Sequence, residues 1–403
     1  MGELKPGWKR VKLGQVAINS TAATKDHEAD GFTRYIIGKH IPEDGERIIS
    51  WNSVGDAEFG SRIRTMVRTG DVICTTRGPK LKVAVAEFDC LSAHTNFILR
   101  PKDPTMFLPG ILEAIVRSEG FQDHLRKHFR GSTNLFVNWS DAAEYEFALP
   151  PLAEQRRTVA LLGSVRTALD AMDEAINRNE ELFRSTLESL MSRGLSQSSS
   201  RRNGHFVHPA SWAVLELGKV ATVERGAFSH RPRNLPEFFG GPYPFVQTGD
   251  IASSTGLLTQ ASQSLSELGR TYSKAFPQGS ILITIAAVIG ATAITVADNT
   301  YCPDSVVGII PNSKLVNVYF LEYALRRVRP YLDLQEATQT AQKNINLQVL
   351  RPLPIALPGL DEQQEIADRL RLIEKQNEAL RARREMLQNI SMFAMKRTDG
   401  TLA

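Results

Sequence analysis

The stretch that decides the fold is LPPLAEQRRTVALLGSVRTALDAMDEAINRNEELFRSTLESLMSRGL, Leu149–Leu195. It opens with the pattern Leu-Pro-x-Leu-x-Glu-Gln, and the same pattern opens a second stretch, Leu357–Gly400, 208 positions further along the chain. After each opening, seam residues recur at alternating intervals of three and four, the average 3.5-residue spacing of a coiled-coil seam. The seam positions are Leu162, Val165, Leu169, Met172, Ile176, Asn179, Phe183, Thr186 and Leu190 in the first copy, and Ile366, Leu370, Ile373, Asn377, Leu380, Arg384 and Leu387 in the second.

Each seam predicts one long helix. There is no Pro or Gly between Ser164 and Ser192 or between Asp361 and Lys396. Roughly 35 to 40 residues at about 1.5 Å each give more than about 50 Å of helix, longer than a domain of this size is wide. Each seam carries one Asn, which costs stability but fixes register. We expect the two helices to pair antiparallel as a coiled coil; the alternative is that each pairs with a helix of a partner protein.

The material in front of each helix is repeated as well. The segment Gly7–Ala17 aligns with Ser211–Ala221, and each contains one Trp followed by a Leu-Gly pair. Further along, Thr69–Gly78 aligns with Gln278–Ala287, each with a Gly before a β-branched run. The order of elements is kept while the loops differ, so a unit of about 200 residues is used twice.

Each repeat mixes short β-branched strands with one or two helices, which indicates the α+β class. The apolar run Ile281–Val296 is short for a bilayer span and contains a central Gly, so it predicts a buried strand pair joined by a turn. Between the repeats lies SQSSSRRNG, whose composition predicts a flexible linker. The predicted boundaries are 1–150 for the first globular domain, 151–195 for the first long helix, 196–204 for the linker, 205–357 for the second globular domain and 358–403 for the second long helix.

Composition gives weaker indications. The three cysteines form no C-x-x-C pair, which argues for a reducing compartment without a disulfide framework or a zinc site. The first ten residues, MGELKPGWKR, contain no apolar segment of the signal-peptide kind, and we expect a cytoplasmic protein that does not enter a membrane. The formal net charge is only +4. Six of the charged residues between Arg62 and Lys82 are basic and one is acidic, so this run is either a phosphate-facing surface or an ordinary solvated face.

The sequence contains none of the catalytic motifs for which we searched. The Gly-Lys at Gly38 lacks the spacing of a P-loop, and His40 follows it where Ser or Thr would bind magnesium. There is no H-E-x-x-H, no G-x-G-x-x-G after a strand, no Asn/Asp-Pro-Pro-aromatic string and no nuclease-type acidic cluster. His124 and His128 stand four apart on a predicted helix, but a surface helix explains them better than a metal site. These absences favour a binding protein without catalytic activity.

Two diverged domains, each followed by a Leu-Pro-x-Leu-x-Glu-Gln helix, resemble the specificity subunit of Type I restriction-modification systems. The resemblance covers Gly7 to Lys396 and depends on the paired motifs at Leu149 and Leu357. It implies two target-recognition domains that each read half of a split, non-palindromic DNA site, separated by two helices that dock two methyltransferase subunits. It further implies no cofactor in this chain, with S-adenosylmethionine, ATP and Mg²⁺ on the partner subunits, and an association with restriction subunits.

Candidate site residues follow from that implied function, because phosphates and base edges are contacted by Arg, Lys, Asn, Gln, Ser, Thr and His. The DNA-binding candidates are Arg77, Lys80, Lys82, His94, Asn96, Ser132 and Asn134 in the first domain, and Arg225, Arg231, Arg233, Gln247, Thr248, Lys343 and Asn344 in the second. A second apolar set on the first long helix lies off the strict seam, and it packs either under a globular domain or against a methyltransferase subunit. These candidates for partner docking are Leu161, Ala168, Leu182 and Leu187.

Other functions stay open from the sequence. One is the specificity subunit of a different multi-subunit, methylation-based defence system, and another is a non-enzymatic coiled-coil adaptor whose heads bind protein. A specificity half fused to a catalytic domain is a third, although the two heads and two helices leave little chain for such a domain.

Overall fold

The structure is a computed structural model of the 403-residue chain, and it describes residues 4–43, 48, 50–56, 62–78, 81–132, 135–203, 206–230, 234–336 and 345–398. It divides into two compact units. Unit 1 comprises Met1–Met172 together with Arg383–Ala403, and unit 2 comprises Asp173–Ala382. Both boundaries therefore fall inside the two segments that the sequence predicts to be long helices.

The first globular part alternates short strands with short helices. Its elements are β1 (Lys9–Lys12), α1 (Leu13–Val16), β2 (Ala17–Asn19), β3 (Arg34–Ile36), β4 (Asn52–Ser53), β5 (Ile63–Val67), β6 (Val72–Thr75), β7 (Val83–Val85), β8 (Cys90–Ala93), β9 (Asn96–Pro101), α2 (Pro109–Arg117), α3 (Glu119–Lys127), α4 (Trp139–Ala143) and β10 (Glu146–Leu149). The long helix α5 (Leu152–Arg193) follows.

The strands of this part form three small sheets. The orders are β1-β10, β2-β9-β6-β7 and β4-β3-β8-β5; in the last sheet β3 and β8 run parallel. The main core lies between the second sheet and helices α2 and α3, where Val72, Leu99, Ile111 and Phe121 are buried together. Burying such a cluster removes apolar surface from water and supplies most of the stabilising free energy.

The second globular part repeats this arrangement. Its elements are β11 (Ser200–Asn203), β12 (Phe206–Pro209), β13 (Ala213–Glu216), α6 (Leu217–Val220), β14 (Ala221–Arg225), β15 (Phe239–Phe245), α7 (Thr248–Ser253), β16 (Leu257–Leu258), β17 (Gln263–Leu265), α8 (Glu267–Arg270), β18 (Lys274–Phe276), β19 (Ile281–Thr284), β20 (Thr292–Thr295), β21 (Thr300–Cys302), β22 (Val306–Pro311), α9 (Val318–Glu336), α10 (Leu347–Leu350) and β23 (Pro354–Leu357). The long helix α11 (Leu360–Thr398) follows.

The sheet orders confirm the duplication. The sheets β13-β23, β14-β22-β19-β20-β16 and β17-β15-β21-β18 correspond to the three sheets of the first part. The run Ile281–Val296 is the predicted buried pair, with β19 and β20 antiparallel. Gly70 and Gly279 both have positive φ, and each donates a hydrogen bond to the carbonyl of the neighbouring strand end, Ala86 or Thr295. Glycine adopts this conformation without a steric penalty, which explains why both copies carry it.

The long helices have the predicted lengths and seams. Helix α5 has 42 residues and α11 has 39, about 63 and 58 Å at 1.5 Å per residue. Every predicted seam position is buried or half-buried. Within unit 2 the pairing is antiparallel: Asn179 Nδ2 donates to the carbonyl of Ile373 at 2.9 Å, whereas the amide of Leu195, just past α5, donates to Glu362 near the start of α11 at 3.1 Å.

The Gln of the Leu-Pro-x-Leu-x-Glu-Gln motif makes the same three hydrogen bonds in both copies, which explains why both copies contain it. In the first copy, Gln155 accepts a hydrogen bond from the amide of Leu108 and donates to the carbonyls of Met106 and Pro150. In the second copy, Gln363 makes the same three bonds, to the amide of Asn317 and the carbonyls of Leu315 and Pro358. We call each set of three bonds a glutamine clasp. Because both Gln side chains are 1% exposed, the clasp fastens each globular part to the start of its long helix.

One local prediction was wrong. The Ser-rich stretch 196–204 is not wholly a flexible linker, because Ser200–Asn203 forms β11 and pairs antiparallel with β12. Arg327 fixes this hairpin: its guanidinium donates to the Val207 carbonyl at 2.8 Å and binds Glu188 on α5. Helices α2 and α3 are separate elements, because Ser118 leaves the helical conformation and caps α3 through the amide of Phe121.

None of the helices in the described part of the chain is both long and apolar enough to cross a membrane.

The clasp predicts a stability effect. Changing Gln363 to Ala removes three hydrogen bonds and leaves a buried amide and two carbonyls with fewer partners. We expect the free energy of unfolding to fall by about 2–4 kcal/mol in chemical denaturation. Gln376→Ala, an exposed Gln on the same helix, is the control, with an expected change within about 0.5 kcal/mol. Equal effects of the two substitutions would show that the clasp does not stabilise the unit.

Candidate nucleic-acid interface

Three loops converge on one edge of the first globular part. The hydroxyl of Thr76 donates to the carbonyl of Thr95, and the amide of Val137 donates to the carbonyl of Thr76 at 3.1 Å. Arg77 and Phe136 form an isolated antiparallel bridge. These bonds bring together residues 76–78, 94–96 and 130–137, whose described members we call edge 1.

Edge 1 presents polar side chains from each loop. Arg77, His94 and Ser132 are all exposed, and Phe136 beside them is 37% exposed. The guanidinium of Arg130 is occupied by Asp141 at 2.9 Å. Arg77 has no ion pair with any carboxylate in the described part of the chain. A cation, an imidazole and a hydroxyl on one edge can donate to phosphate oxygens and base edges, and the exposed ring can stack on a base or sugar.

Two further DNA-binding candidates of the first globular part, Asn96 and Lys82, are less exposed than the residues of edge 1 named above. Asn96 is not available for a ligand, because its side chain is 7% exposed and its amide donates to Ser92 at 2.9 Å inside the sheet. The ammonium of Lys82 is half-buried and lies 3.6 Å from Glu43. Asn96 is thus a structural residue of the β8–β9 turn, and Lys82 is partly neutralised.

The second globular part has the equivalent edge. The amide of Ile345 donates to the carbonyl of Ile285 at 3.2 Å, and this bond is equivalent to the one from Val137 to Thr76 in the first part. The amide of Ile285 in turn donates to the backbone carbonyl of Ser305 at 3.0 Å. We call the described residues 225, 247–248, 285–290, 303–305 and 345 edge 2. The equivalent backbone bonds of the two globular parts therefore bring together equivalent loops, at edge 1 in the first part and at edge 2 in the second.

Three candidates lie on edge 2. Arg225 ends β14, is exposed and donates from Nε to the carbonyl of Asp304. Gln247 and Thr248 follow β15 at the end where the parallel strand β21 enters the turn 303–305. Both are half-buried, and Gln247 Nε2 donates to Gln263 at 3.1 Å. Arg225 and Gln247 have further donors that these bonds leave unused.

Six predicted DNA-binding residues lie outside the described residues, and their placement stays a prediction. They are Lys80, Asn134, Arg231, Arg233, Lys343 and Asn344.

The basic run between Arg62 and Lys82 does not form one continuous strand surface. Arg64 lies on β5, whereas Arg77 and Lys82 flank β6 and β7 in a different sheet. Arg68 stands at the turn between them and pairs with Asp89 at 2.6 Å, and that hydrogen bond lowers the pKa of the Asp89 carboxyl. Only the last part of the run contributes to edge 1.

The histidine pair does not have the geometry of a metal site. His124 Nε2 lies 2.8 Å from the carbonyl of Asp141, and His128 Nδ1 lies 2.8 Å from the carbonyl of His124. Among the described residues there is no cluster of three His, Cys, Asp or Glu side chains that could hold a metal. Cys74, Cys90 and Cys302 are buried and unpaired, and burial raises the pKa of Cys74 and Cys90 to about 12. Protonated thiols of this kind are poor nucleophiles.

The four predicted docking residues differ in exposure. Leu161 is 46% exposed and Leu182 is 50% exposed, while Ala168 is half-buried. Leu187 is 8% exposed and belongs to the core of unit 2, where it lies with Leu190 and Met191 of α5 and with Ile366 and Leu370 of α11. The fold itself covers the Leu187 side chain, which agrees with the alternative of packing under a globular part, and the docking of a partner by this residue stays a prediction.

The sequence reasoning missed an apolar stripe on α11. Met386, Ile390 and Phe393 are 65%, 45% and 57% exposed. They recur at intervals of four and three off the coiled-coil seam, so the same periodicity analysis could have found them. Exposed apolar residues in a row on one helix face are typical of a surface that a partner covers.

Comparison with known proteins agrees with this architecture. Residues 209–389 match the family model of the Type I restriction modification DNA specificity domain. The chain is 23% identical over 258 residues to the putative type I restriction enzyme MjaX specificity subunit of Methanocaldococcus jannaschii, covering 62% of this chain and 58% of that protein. It is 22% identical over 246 residues to the EcoBI specificity subunit of Escherichia coli, covering 55% of this chain and 50% of that protein. The chain thus spans about half the length of the curated relatives it matches.

Solved structures share the fold. A chain from a structure of a type I R-M system has a TM-score of 0.56 at 23% identity, covering all of both chains. The Type-I restriction-modification S subunit from M. genitalium has a TM-score of 0.61 at 12% identity, covering 98% of each. The α+β fold of this chain, with two similar globular parts and two long helices, is therefore shared with these structures. The chain is thus similar to Type I restriction-modification specificity subunits in part of its sequence and in its fold.

The contrast between Leu182 and Leu187 is testable. Leu187→Asp places a carboxylate in the core of unit 2, and we expect the unit to lose about 4 kcal/mol or more of unfolding free energy. Leu182→Asp, five residues earlier on the same helix, should change the stability of the isolated chain by less than about 1 kcal/mol. Thermal or urea unfolding of the two variants measures the difference. A stable Leu187→Asp protein would contradict the buried position.

Proposed function

We propose that this chain is the DNA-specificity subunit of a Type I restriction-modification complex and binds a split, non-palindromic DNA site. The proposal depends on one observation: the two globular parts repeat the same strands, helices and sheet order, whereas their loops differ in sequence. Thr76–Val137 and Ile285–Ile345 build the same edge in each unit, yet the side chains on the two edges differ. Two globular parts with the same backbone arrangement but different edge side chains suit a DNA site whose two halves differ in sequence.

The chemistry of both edges suits DNA. Arg77 is exposed beside Gly78, and its guanidinium suits a phosphate oxygen. His94 and Ser132 on edge 1, and Gln247 and Thr248 on edge 2, can exchange hydrogen bonds with base edges. The candidates outside the described residues belong to the same loops in sequence, and we include them in the proposal.

The chain itself would do no chemistry. Under the proposal, two methyltransferase subunits dock on the helices and methylate adenine with S-adenosylmethionine. Restriction subunits supply the ATP- and Mg²⁺-dependent cleavage of unmodified DNA. Leu161 and Leu182 on α5 and the stripe of Met386, Ile390 and Phe393 on α11 are the exposed apolar residues that would meet these partners.

A second candidate is an adaptor whose heads bind protein, and another is the specificity subunit of a different methylation-based defence system. Salt dependence separates DNA binding from apolar protein binding. Neutralising DNA phosphates releases counterions, so affinity falls steeply with salt, whereas an apolar protein interface should change little.

Arg77 gives the first test. If it binds a phosphate, Arg77→Ala should weaken DNA binding about equally across sequences and reduce the slope of log affinity against log salt by about one. Fluorescence anisotropy with labelled duplexes at several salt concentrations measures both quantities. Arg178→Ala is the control with the same loss of charge, because Arg178 is an exposed residue of α5 that pairs with Glu174. An unchanged slope for Arg77→Ala would remove this residue from the interface.

Replacing one head tests the split site. Residues 1 to 150 are exchanged for the first domain of a relative with a different specificity, and the chain is co-expressed with its methyltransferase. Methyladenine is then mapped across the host genome. We expect one half of the methylated motif to change, while the other half and the spacer length stay constant. A change in both halves, or a continuous motif, would mean that the heads do not read separate halves.

A further inference from the structure

Each globular part has one loop that follows equivalent strands and belongs to its edge. Loop 1, residues 76–81, lies between β6 and β7, and its described members are 76–78 and 81. Loop 2, residues 285–290, lies between β19 and β20 and is described throughout. The two strand pairs occupy the same place in the sheet orders of the two parts. Loop 1 therefore belongs to edge 1 as loop 2 belongs to edge 2.

A buried threonine holds the base of each loop in the same way. The amide of Thr75 donates to the carbonyl of Lys82 at 2.9 Å, and the Thr75 hydroxyl accepts from the amide of Lys82 at 2.8 Å. Thr284 makes the same two bonds with Ala291, at 2.9 and 3.0 Å. The two loops therefore have the same length and correspond residue by residue.

The side chains at the tips of the two loops are chemically opposite. Loop 1 has the exposed Arg77 followed by Gly78. The corresponding residues of loop 2 are Ala286, which is half-buried, and Ala287, which is exposed. Val288 comes next and is 41% exposed. Loop 2 thus presents methyl groups to solvent at the place where loop 1 presents a guanidinium.

The backbone of loop 2 is fixed in a conformation that an alanine adopts at a cost. The hydroxyl of Thr284 also donates to the carbonyl of Val288, and the amide of Gly290 donates to the carbonyl of Thr284 at 2.9 Å. Ala287 has a φ of 62°, whereas Gly78 in loop 1 has a φ of 95°, which a glycine adopts without penalty. Strained residues of this kind cluster at functional sites, and here the strained residue adds a methyl group beside Val288.

The surroundings of the tip suit DNA better than an apolar protein partner. Arg329 of α9 lies against the loop, because a Cβ added to Gly290 would be 2.9 Å from Arg329 Cγ. Arg329 is exposed and forms no ion pair with a carboxylate in the described part of the chain. Arg225 and Gln247 lie on the same edge. An apolar partner would dehydrate the guanidinium of Arg329 without pairing it, whereas DNA supplies phosphates next to its bases.

We infer that residues 286–288 contact the C5-methyl group of a thymine in the major groove of the second half-site. This inference rests on the proposed function and names the chemistry by which edge 2 distinguishes bases. The thymine methyl is the apolar feature of the major groove, and small apolar side chains are its usual protein contacts. Cytosine lacks this methyl group, so the contact favours a T·A over a C·G pair.

Deoxyuridine tests the contact, because it differs from thymidine only by the missing methyl group. The full chain with its methyltransferase is bound to a duplex that contains the motif found by methyladenine mapping. Each thymine of the second half-site is replaced singly by deoxyuridine, and affinity is measured by fluorescence anisotropy. At one position the replacement should weaken binding about three- to fivefold, the effect of losing one buried methyl contact. With Val288→Ala the same replacement should cost less than about 1.5-fold, because the methyl has lost its partner.

Val296→Ala is the matched control. Val296 is 39% exposed and follows β20 at the end away from loop 2, so this variant should keep the full deoxyuridine effect. The inference is refuted if no thymine of the second half is sensitive, or if the native chain and Val288→Ala are equally sensitive. It is also refuted if Val288→Ala weakens association with the methyltransferase and leaves the deoxyuridine effect unchanged, since the tip would then dock protein. Absence of any split site would instead contradict the proposed function itself, whereas a split site without methyl dependence would contradict only this inference.

Discussion

The fold depends on one buried amide in each copy. Gln155 and Gln363 are each 1% exposed, and each side chain makes hydrogen bonds to three backbone groups. Such groups are costly to bury unpaired, so the side chain fixes the position of the loop before the domain helix and of the Pro before the long helix. The orientation of each globular part on the start of its long helix follows from that fixation. The loop edges of each globular part therefore have a defined position relative to the start of the following long helix.

The elements predicted well from the sequence were those whose periodicity and spacing carry the signal. The 3.5-residue spacing gave both long helices and each seam position, because only one face of a paired helix is removed from water. The repeat offset near 208 gave the duplication, and the β-branched run at Ile281 gave the strand pair. The role of Gln155 could not be read in this way, since a Gln at a helix start is polar and usually exposed. Its partners, Met106 and Leu108, are close only in three dimensions.

The site was harder to predict because a polar residue's type does not determine its exposure. Asn96 and His94 are two positions apart on one turn, yet His94 faces solvent and Asn96 is bonded to Ser92 inside the sheet. Leu182 and Leu187 likewise share a helix, and only the core of unit 2 decides that Leu187 is covered. The Ser-rich composition predicted a flexible linker that includes residues 200–203. Pairing of β11 with β12 and the hydrogen bond from Arg327 to the hairpin instead hold these residues in a strand. Tertiary contacts decide each of these cases.

The division of the chain into units has a consequence for its synthesis. Unit 2 is one continuous segment, Asp173–Ala382, and all of it is synthesised before the final piece of unit 1, Arg383–Ala403. Unit 1 must therefore wait for its last segment, which includes Lys396 and its ion pair with Glu119. At about 5–20 residues per second the delay after Met172 is on the order of ten seconds or more. During that interval the seam residues at the start of α5 lack their covering helix, so unit 1 is the part of the nascent protein that exposes apolar surface longest.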